Sequence, residues 1–188
     1  MNFKHDLLLV DLETTGLDSS CHEIIQIAAL LLDRRTLKEK KSFNNFIRPT
    51  EWKSRDRESM KVNKIIWEQI KDAPDLKSAI KKFNKEFSPK KVVLSYYGGP
   101  LDMDFLRVAY KKAAVKWQFD YHYFNLWAVF YGSMAAKNLL KSKTKHAGFT
   151  LDSLAKKLKV KISGFRHDAL YDCRLEAEVL RKIIKKIK

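Results

Sequence analysis

Cysteine is almost missing from this chain. Only Cys21 and Cys173 occur in 188 residues, too few for a disulfide framework, and no CxxC or Cys/His cluster suggests a zinc site. A long apolar leader is missing too. The opening MNFKHDLLLV has a four-residue apolar run before Asp11, too short for a signal peptide or a membrane span. No repeat, no Pro/Gly-rich linker and no second domain can be found, so 1–188 reads as a single domain, expected to be cytoplasmic and free of membrane. Acid is also scarce. Lys and Arg number 38 against 22 Asp and Glu, a net charge of +16, with a pI near 9.8. Such a field draws in polyanions, nucleic acid foremost. A merely solubilising surface would give the same count, so charge names a partner class and no chemistry.

What is present is a globular composition, 45% hydrophobic and 12% aromatic, with room for a real core. Leu7-Leu8-Leu9-Val10 is a continuous apolar run, as in a strand buried on both faces. A turn at Thr14-Thr15-Gly16 and Asp18-Ser19-Ser20 leads to a second strand, Ile24–Leu32, and a third spans Ser42–Ile47. Short connections predict an antiparallel meander for these three. Leu76, Ala79, Ile80, Phe83 and Phe87 then recur at helical spacing behind Pro74 and Asp75. Val92-Val93-Leu94 is another buried strand, and Phe105, Leu106, Ala109, Tyr110 and Ala113 mark the helix after it. A strand near Tyr121–Phe124 precedes a helix-like stretch, and Lys141–Gly148 reads as a basic loop. Leu151, Leu154, Ala155 and Leu158 form a short helix opened by Thr150. The last helix puts Ala169, Leu170, Cys173, Ala177, Leu180, Ile184 and Ile187 on one face. The pattern is α/β: a mixed sheet flanked by helices.

Three groups of polar residues stand out against this frame. Asp11-Leu12-Glu13 ends the first strand, where residues two apart share a face, so the carboxylates converge while Leu12 turns away. Two acids held together beside a core repel each other and resist desolvation, and a hard divalent cation resolves both problems. The hydroxyls and backbone N–H groups of Thr14 and Thr15 could hold a nucleotide terminus beside it. Asp102 follows Gly98-Gly99-Pro100 and starts a helix; read alone it is a helix cap, a role Asp104 would fill nearly as well. Asp172 falls on the apolar seam of the last helix, where an acid must face something buried, and His167 lies on the loop just before it. Each alone has an ordinary reading; the conjunction is what matters.

Asp11-x-Glu13-Thr14-Thr15-Gly16, Asp102 with Phe105-Leu106, and His167-x-Ala169-Leu170-x-Asp172 together resemble the DEDDh exonucleases. That family includes the epsilon proofreading subunit of bacterial replicative DNA polymerase, ribonuclease T and oligoribonuclease. The resemblance spans nearly the whole chain and implies an RNase H-like fold, an antiparallel meander extended by parallel strands. It implies two divalent cations, Mg²⁺ or Mn²⁺, held by Asp11, Glu13, Asp102 and Asp172, with His167 as general base. It further implies 3′→5′ release of nucleoside 5′-monophosphates from a free 3′ end of single-stranded DNA or RNA, with Leu12, Thr14 and Thr15 against the terminal nucleotide. The Asp-Leu-Glu-Thr-Thr-Gly form resembles the epsilon branch, which favours DNA and leaves a polymerase partner open; an exoribonuclease and a silent nucleic-acid-binding module are the alternatives. Two positions depart from the pattern. Tyr97-Gly98 stands where relatives carry His-Asn, which leaves Asp104 as an alternative to Asp102, and Asn125 stands where relatives often carry Asp.

Basic stretches at Lys53, Arg55 and Arg57, at Lys137, Lys141, Lys143 and Lys145, and at Arg181, Lys182, Lys185 and Lys186 are candidate phosphate contacts. In the last of these, cations also favour a helix C-terminus. Trp52, Trp67, Tyr96 and Tyr97 are candidates for stacking on bases, Trp67 also having helical spacing typical of a core residue.

Overall fold

A computed structural model of the chain describes residues 2–87, 91–138, 140, 148–161, 164 and 167–187. Its centre is strand β1, Asp6–Thr14, which pairs on one side with antiparallel β2, Ile24–Leu32, and on the other with parallel β4, Val92–Tyr96. Strand β3, Glu39–Phe46, adds antiparallel to β2, and short β5, Tyr123–Asn125, adds parallel to β4. The sheet order is β3-β2-β1-β4-β5. The antiparallel meander and the parallel extension are therefore as the sequence indicates.

Alternation along β1 divides its side chains between two cores. Leu8, Val10 and Leu12 pack with helices α3, Leu76–Phe87, and α4, Leu101–Lys112, around Phe83, Phe87, Phe105 and Tyr110. Leu7 and Leu9 pack on the opposite face with α5, Leu126–Ala136, α6, Leu151–Lys157, and α7, Ala169–Ile187. Helix starts follow the side chains foreseen for them. Asp75 Oδ1 accepts the Ser78 N–H, and Thr150 Oγ1 accepts the Ser153 N–H, each satisfying an otherwise orphaned donor.

Strand limits differ modestly from the sequence reading. β1 runs through Asp11-Leu12-Glu13 to Thr14, and β3 starts at Glu39 because an edge strand tolerates exposed charge. The last strand begins at Tyr123, since Asp120 Oδ1 takes the His122 N–H and closes a turn over Tyr121. Residues 51–70, left without structure by the sequence reading, hold a 3₁₀ turn at Trp52–Ser54, helix α1, Arg57–Asn63, and helix α2, Trp67–Ile70. They cover a third, small cluster of Ile25, Ile65 and Ile70. The basic loop expected at Lys141–Gly148 falls, apart from Gly148, outside the described residues. Among the described residues no helix is long and apolar enough to cross a membrane.

The two departures from the DEDDh pattern touch each other. Gly98 takes φ +86, a conformation that glycine reaches without steric cost. Its carbonyl accepts a 2.6 Å hydrogen bond from Asn125 Nδ2, while Asn125 Oδ1 caps α5 through the Ala128 N–H. Asp at 125 would keep the cap and lose the donor. We expect Asn125→Asp to destabilise the protein by about 1–3 kcal/mol in urea unfolding, through the carbonyl left facing a carboxylate, with Asn125→Ser milder.

A candidate active site where the last helix meets the first strand

The face of β1 that buries Leu7 and Leu9 continues into Asp11 and Glu13, so two acids stand where an apolar stripe runs out. Helix α7 lies across this face. The Cys173 thiol sits 3.9 Å from the Leu9 carbonyl, which places Asp172, only 5% exposed, beside the acids of β1. Ligand atoms of Glu13, His167 and Asp172 all lie within 4.8 Å of one another, a group that could hold a metal ion.

Asp102 arrives from the other side of β1. It occupies the first turn of α4 and its Oδ1 accepts the Leu12 N–H at 3.3 Å. Burial pushes its carboxyl up to about 7, against the lowering effect of that hydrogen bond. Asp104, the other candidate, is exposed on the far side of the turn. The Cys173 thiol registers the whole cluster: burial first, then the charges of Asp11, Glu176 and Asp102, push it well above the usual thiol range. Glu13, His167 and Asp172 thus form one tight group, with Asp11 and Asp102 converging on the same buried sulfur.

His167 takes φ 63, a left-handed conformation that costs a non-glycine residue roughly 1–3 kcal/mol. The next residue fixes it there. Asp168 Oδ1 accepts the Tyr171 N–H and starts α7 as an N-cap, while its Oδ2 accepts from Gln26 Nε2 at 3.1 Å. Gln26 is 1% exposed in the otherwise apolar β2 and lies opposite Glu13 in the β1–β2 ladder. Its amide also donates to Asn44 Oδ1, and its carbonyl accepts the Ala169 N–H. One buried side chain thereby ties the start of α7, and with it His167 and Asp172, to the strand facing Glu13.

The Thr14-Thr15-Gly16 turn is built from inside. The Thr14 hydroxyl donates to the Gly16 carbonyl and the Thr15 hydroxyl accepts the Glu23 N–H. Both threonines are buried, so neither hydroxyl is offered outward. Leu12 is itself buried against α4. Apolar surface near the site comes from residues the sequence reading passed over: Leu17, 71% exposed, after the turn; Leu101, 38% exposed, before Asp102; and Val62, 50% exposed, beside Asn63. Gln26 and the buried Glu176, one turn along α7 from Asp172, were missed as well. A polar residue in a nine-residue buried strand was the available signal for Gln26. Tyr97 donates its hydroxyl to the Phe149 carbonyl, and burial and the Glu176 charge raise its pKa.

Known proteins share this fold. The RNase T family, described as exonuclease, matches residues 8–180. DNA polymerase III PolC-type of Thermotoga petrophila is 27% identical over 183 residues, 96% of this chain and 12% of that protein; the chain thus spans about an eighth of the curated relative. The nuclease domain of 3′hExo, a DEDDh family member bound to rAMP, superposes with a TM-score of 0.76 at 19% identity, covering 99% of this chain and 95% of that one. Exonuclease I of E. coli in complex with a dA16 oligonucleotide gives 0.80 at 16% identity, covering 97% and 41%.

Two outcomes follow from the geometry. Gln26→Leu keeps the volume and removes the tie, leaving Asp168 and the Ala169 N–H short of partners. It should lower stability by about 1–3 kcal/mol and loosen exchange protection at the start of α7 more than at its end, read by hydrogen exchange. The second concerns pH. The folded Asp102 carboxyl binds its proton up to about 7, whereas the unfolded chain releases it near 3.8. The stability this group contributes is complete below the lower value and lost as pH rises through the higher one. In chelator-treated protein, wild type should therefore lose urea resistance relative to Asp102→Asn between about pH 4 and 7 and run parallel to it above.

Proposed function

We propose, from the premise that the chain belongs to the RNase T exonuclease family, that it is a metal-dependent 3′→5′ exonuclease releasing nucleoside 5′-monophosphates from single-stranded DNA. The observation that carries this reading is the meeting of Glu13, His167 and Asp172 within 4.8 Å, with Asp11 on the same strand face and Asp102 at its edge.

The donor set fits a hard cation. Carboxylate oxygens dominate it, which suits Mg²⁺ or Mn²⁺ over softer metals. Asp11, Glu13 and Asp172 would hold two such ions, and Asp102, already tied to the Leu12 amide, would reach them through water. When bound, the cations supply Lewis acidity that makes a water acidic and stabilises charge developing on the phosphate. The chain supplies the rest. His167 accepts the proton of the attacking water on its imidazole, whose ordinary pKa of about 6.5 suits that task near neutrality. Its left-handed backbone and the capped start of α7 hold the ring toward Glu13 and Asp172 rather than toward solvent. The water's oxygen bonds to the terminal phosphorus, the P–O3′ bond breaks, and the 3′-oxygen takes a proton from solvent. Leu12 and the Thr14-Thr15 backbone, with Leu17 and Leu101 exposed beside them, form the flank against which the terminal nucleotide rests. The leaning towards DNA rests on the PolC-type relative and on the Asp-Leu-Glu-Thr-Thr-Gly form. The 3′hExo likeness favours RNA as the second reading, because that protein is bound to rAMP.

The test is hydrolysis of 5′- and 3′-labelled single-stranded DNA and RNA of matched sequence with Mg²⁺, Mn²⁺ or chelator. Wild type should shorten both 5′-labelled strands from the 3′ end, DNA faster, and only with metal. Asp11→Ala should be inactive, and His167→Asn, which tolerates a left-handed backbone, should fall by about 10²–10⁴-fold. RNA cleaved faster than DNA selects the second reading. Binding without cleavage under either metal sinks the enzyme assignment and leaves a binding module.

A further inference from the structure

Residues 52–68 form a lobe hydrogen-bonded directly to the segment that follows Glu13. The Asp56 N–H donates to the Thr15 carbonyl at 2.7 Å, and Asn63 Nδ2 donates to the Thr14 carbonyl at 3.0 Å. Asn63 is buried and its own carbonyl accepts the Ile65 N–H, so the lobe is set rigidly against the turn. A cavity of about 550 Å³ opens on this lobe, lined by Trp52, Arg55, Arg57, Lys61, Lys64 and Trp67.

The two indole rings stand 5.6 Å apart and rest on the Ile25, Ile65 and Ile70 cluster, half-buried. Packing on that cluster explains their buried halves. It does not explain why four cations line the same cavity. Glu68 is the one acid lining it, and Lys61 pairs with Glu58 at 2.6 Å. The Arg55 guanidinium lies 4.6 Å over the Trp52 ring and also donates to the Trp52 carbonyl. A base stacking on Trp52 would displace that guanidinium from the ring and leave it free to meet a phosphate.

We infer that this cavity is a binding subsite for single-stranded nucleic acid, taking the stretch of strand upstream of the terminal nucleotide: bases against Trp52 and Trp67, phosphates against Arg57, Lys64 and Arg55. The inference rests on the nuclease reading for its polarity alone. Its volume matches a nucleotide-sized ligand. A paired duplex keeps its bases stacked on one another, whereas a single strand can lend them to aromatic faces while its phosphates meet the cations. The lobe's bonds to Thr14 and Thr15 hold it on the segment that directly follows Glu13.

The experiment uses fluorescein-labelled dT12 and U12 in chelator, where no hydrolysis intervenes, so that loss of binding and loss of chemistry are read apart. Arg57→Gln with Lys64→Asn, the latter suited to the left-handed backbone of Lys64, should weaken binding of both oligonucleotides about tenfold and reduce the salt slope by about 1.4, two phosphate contacts' worth. Trp52→Phe, which keeps an aromatic on the cluster, should remove much of the tryptophan quench that dT12 produces in wild type. With metal, the loss in kcat/KM caused by the Arg57/Lys64 pair should be about tenfold greater on dT12 than on the dinucleotide. Equal losses on both lengths, unaltered affinity and salt slope, or displacement of dT12 by polyglutamate as readily as by unlabelled dT12 would each overturn the subsite. A wild type that binds dT12 in this way but cleaves nothing would sink the nuclease reading and leave the subsite standing.

Discussion

Everything at the site depends on one packing constraint: α7 lies on the face of β1 whose apolar residues give way, at Asp11, to acids. Leu7 and Leu9 need the helix above them to leave water, and Ala169, Cys173, Ala177 and Leu180 provide it. Once that contact forms, Asp172 has nowhere to go but the space beside Glu13. The hydrophobic effect therefore drives together carboxylates that would otherwise stay apart. Burial raises the Asp102 carboxyl, and burial followed by the charges of Asp11, Glu176 and Asp102 raises the Cys173 thiol. A site assembled this way is pre-strained toward cations, since each added positive charge relieves repulsion that the core enforces.

Gln26 and Asp168 give that contact its angular definition. Apolar packing alone would let α7 slide or rotate by small amounts, because apolar contacts have little direction. The Gln26 amide, by contrast, serves Asn44, Asp168 and Ala169 at once, which fixes where the helix begins. His167 comes one residue before the cap, so its left-handed backbone follows from where the helix is made to start. A similar economy holds at the β5 edge of the sheet, where Asn125 both starts α5 and holds the carbonyl of Gly98.

Much of this was legible in the sequence. The apolar runs specified β1, β2 and β4, and the periodicities specified α3, α4 and α7, because long buried elements write their period plainly. The spacing of Asp11 and Glu13 and the seam position of Asp172 carried real geometric information. Residues 51–70 were not legible: α1 buries only Asn63 and α2 is four residues long, so neither leaves a pattern. The choice between Asp102 and Asp104 was also open, since both lie in the first turn of one helix; only the strand beside α4 separates the half-buried carboxylate from the exposed one. Gln26 could have been flagged as polar in a buried run, but its partner Asp168 lies 142 residues away and no local rule supplies it. Thr14 and Thr15 looked like hydroxyls offered outward, and the fold turns them inward to shape the bend.

The two cysteines illustrate how differently one fold treats one functional group. Cys173 is enclosed under the acids, and Cys21 is exposed, with its sulfur 3.5 Å from His22 Nδ1. The His22 ring in turn packs against Gly16, the end of the Thr-Thr-Gly turn. Alkylating reagents act on accessible thiolates, so they would attach to Cys21 and pass Cys173 by. The chain therefore carries a single addressable thiol beside the Thr-Thr-Gly turn, where a fluorophore or spin label can be attached without any engineered residue.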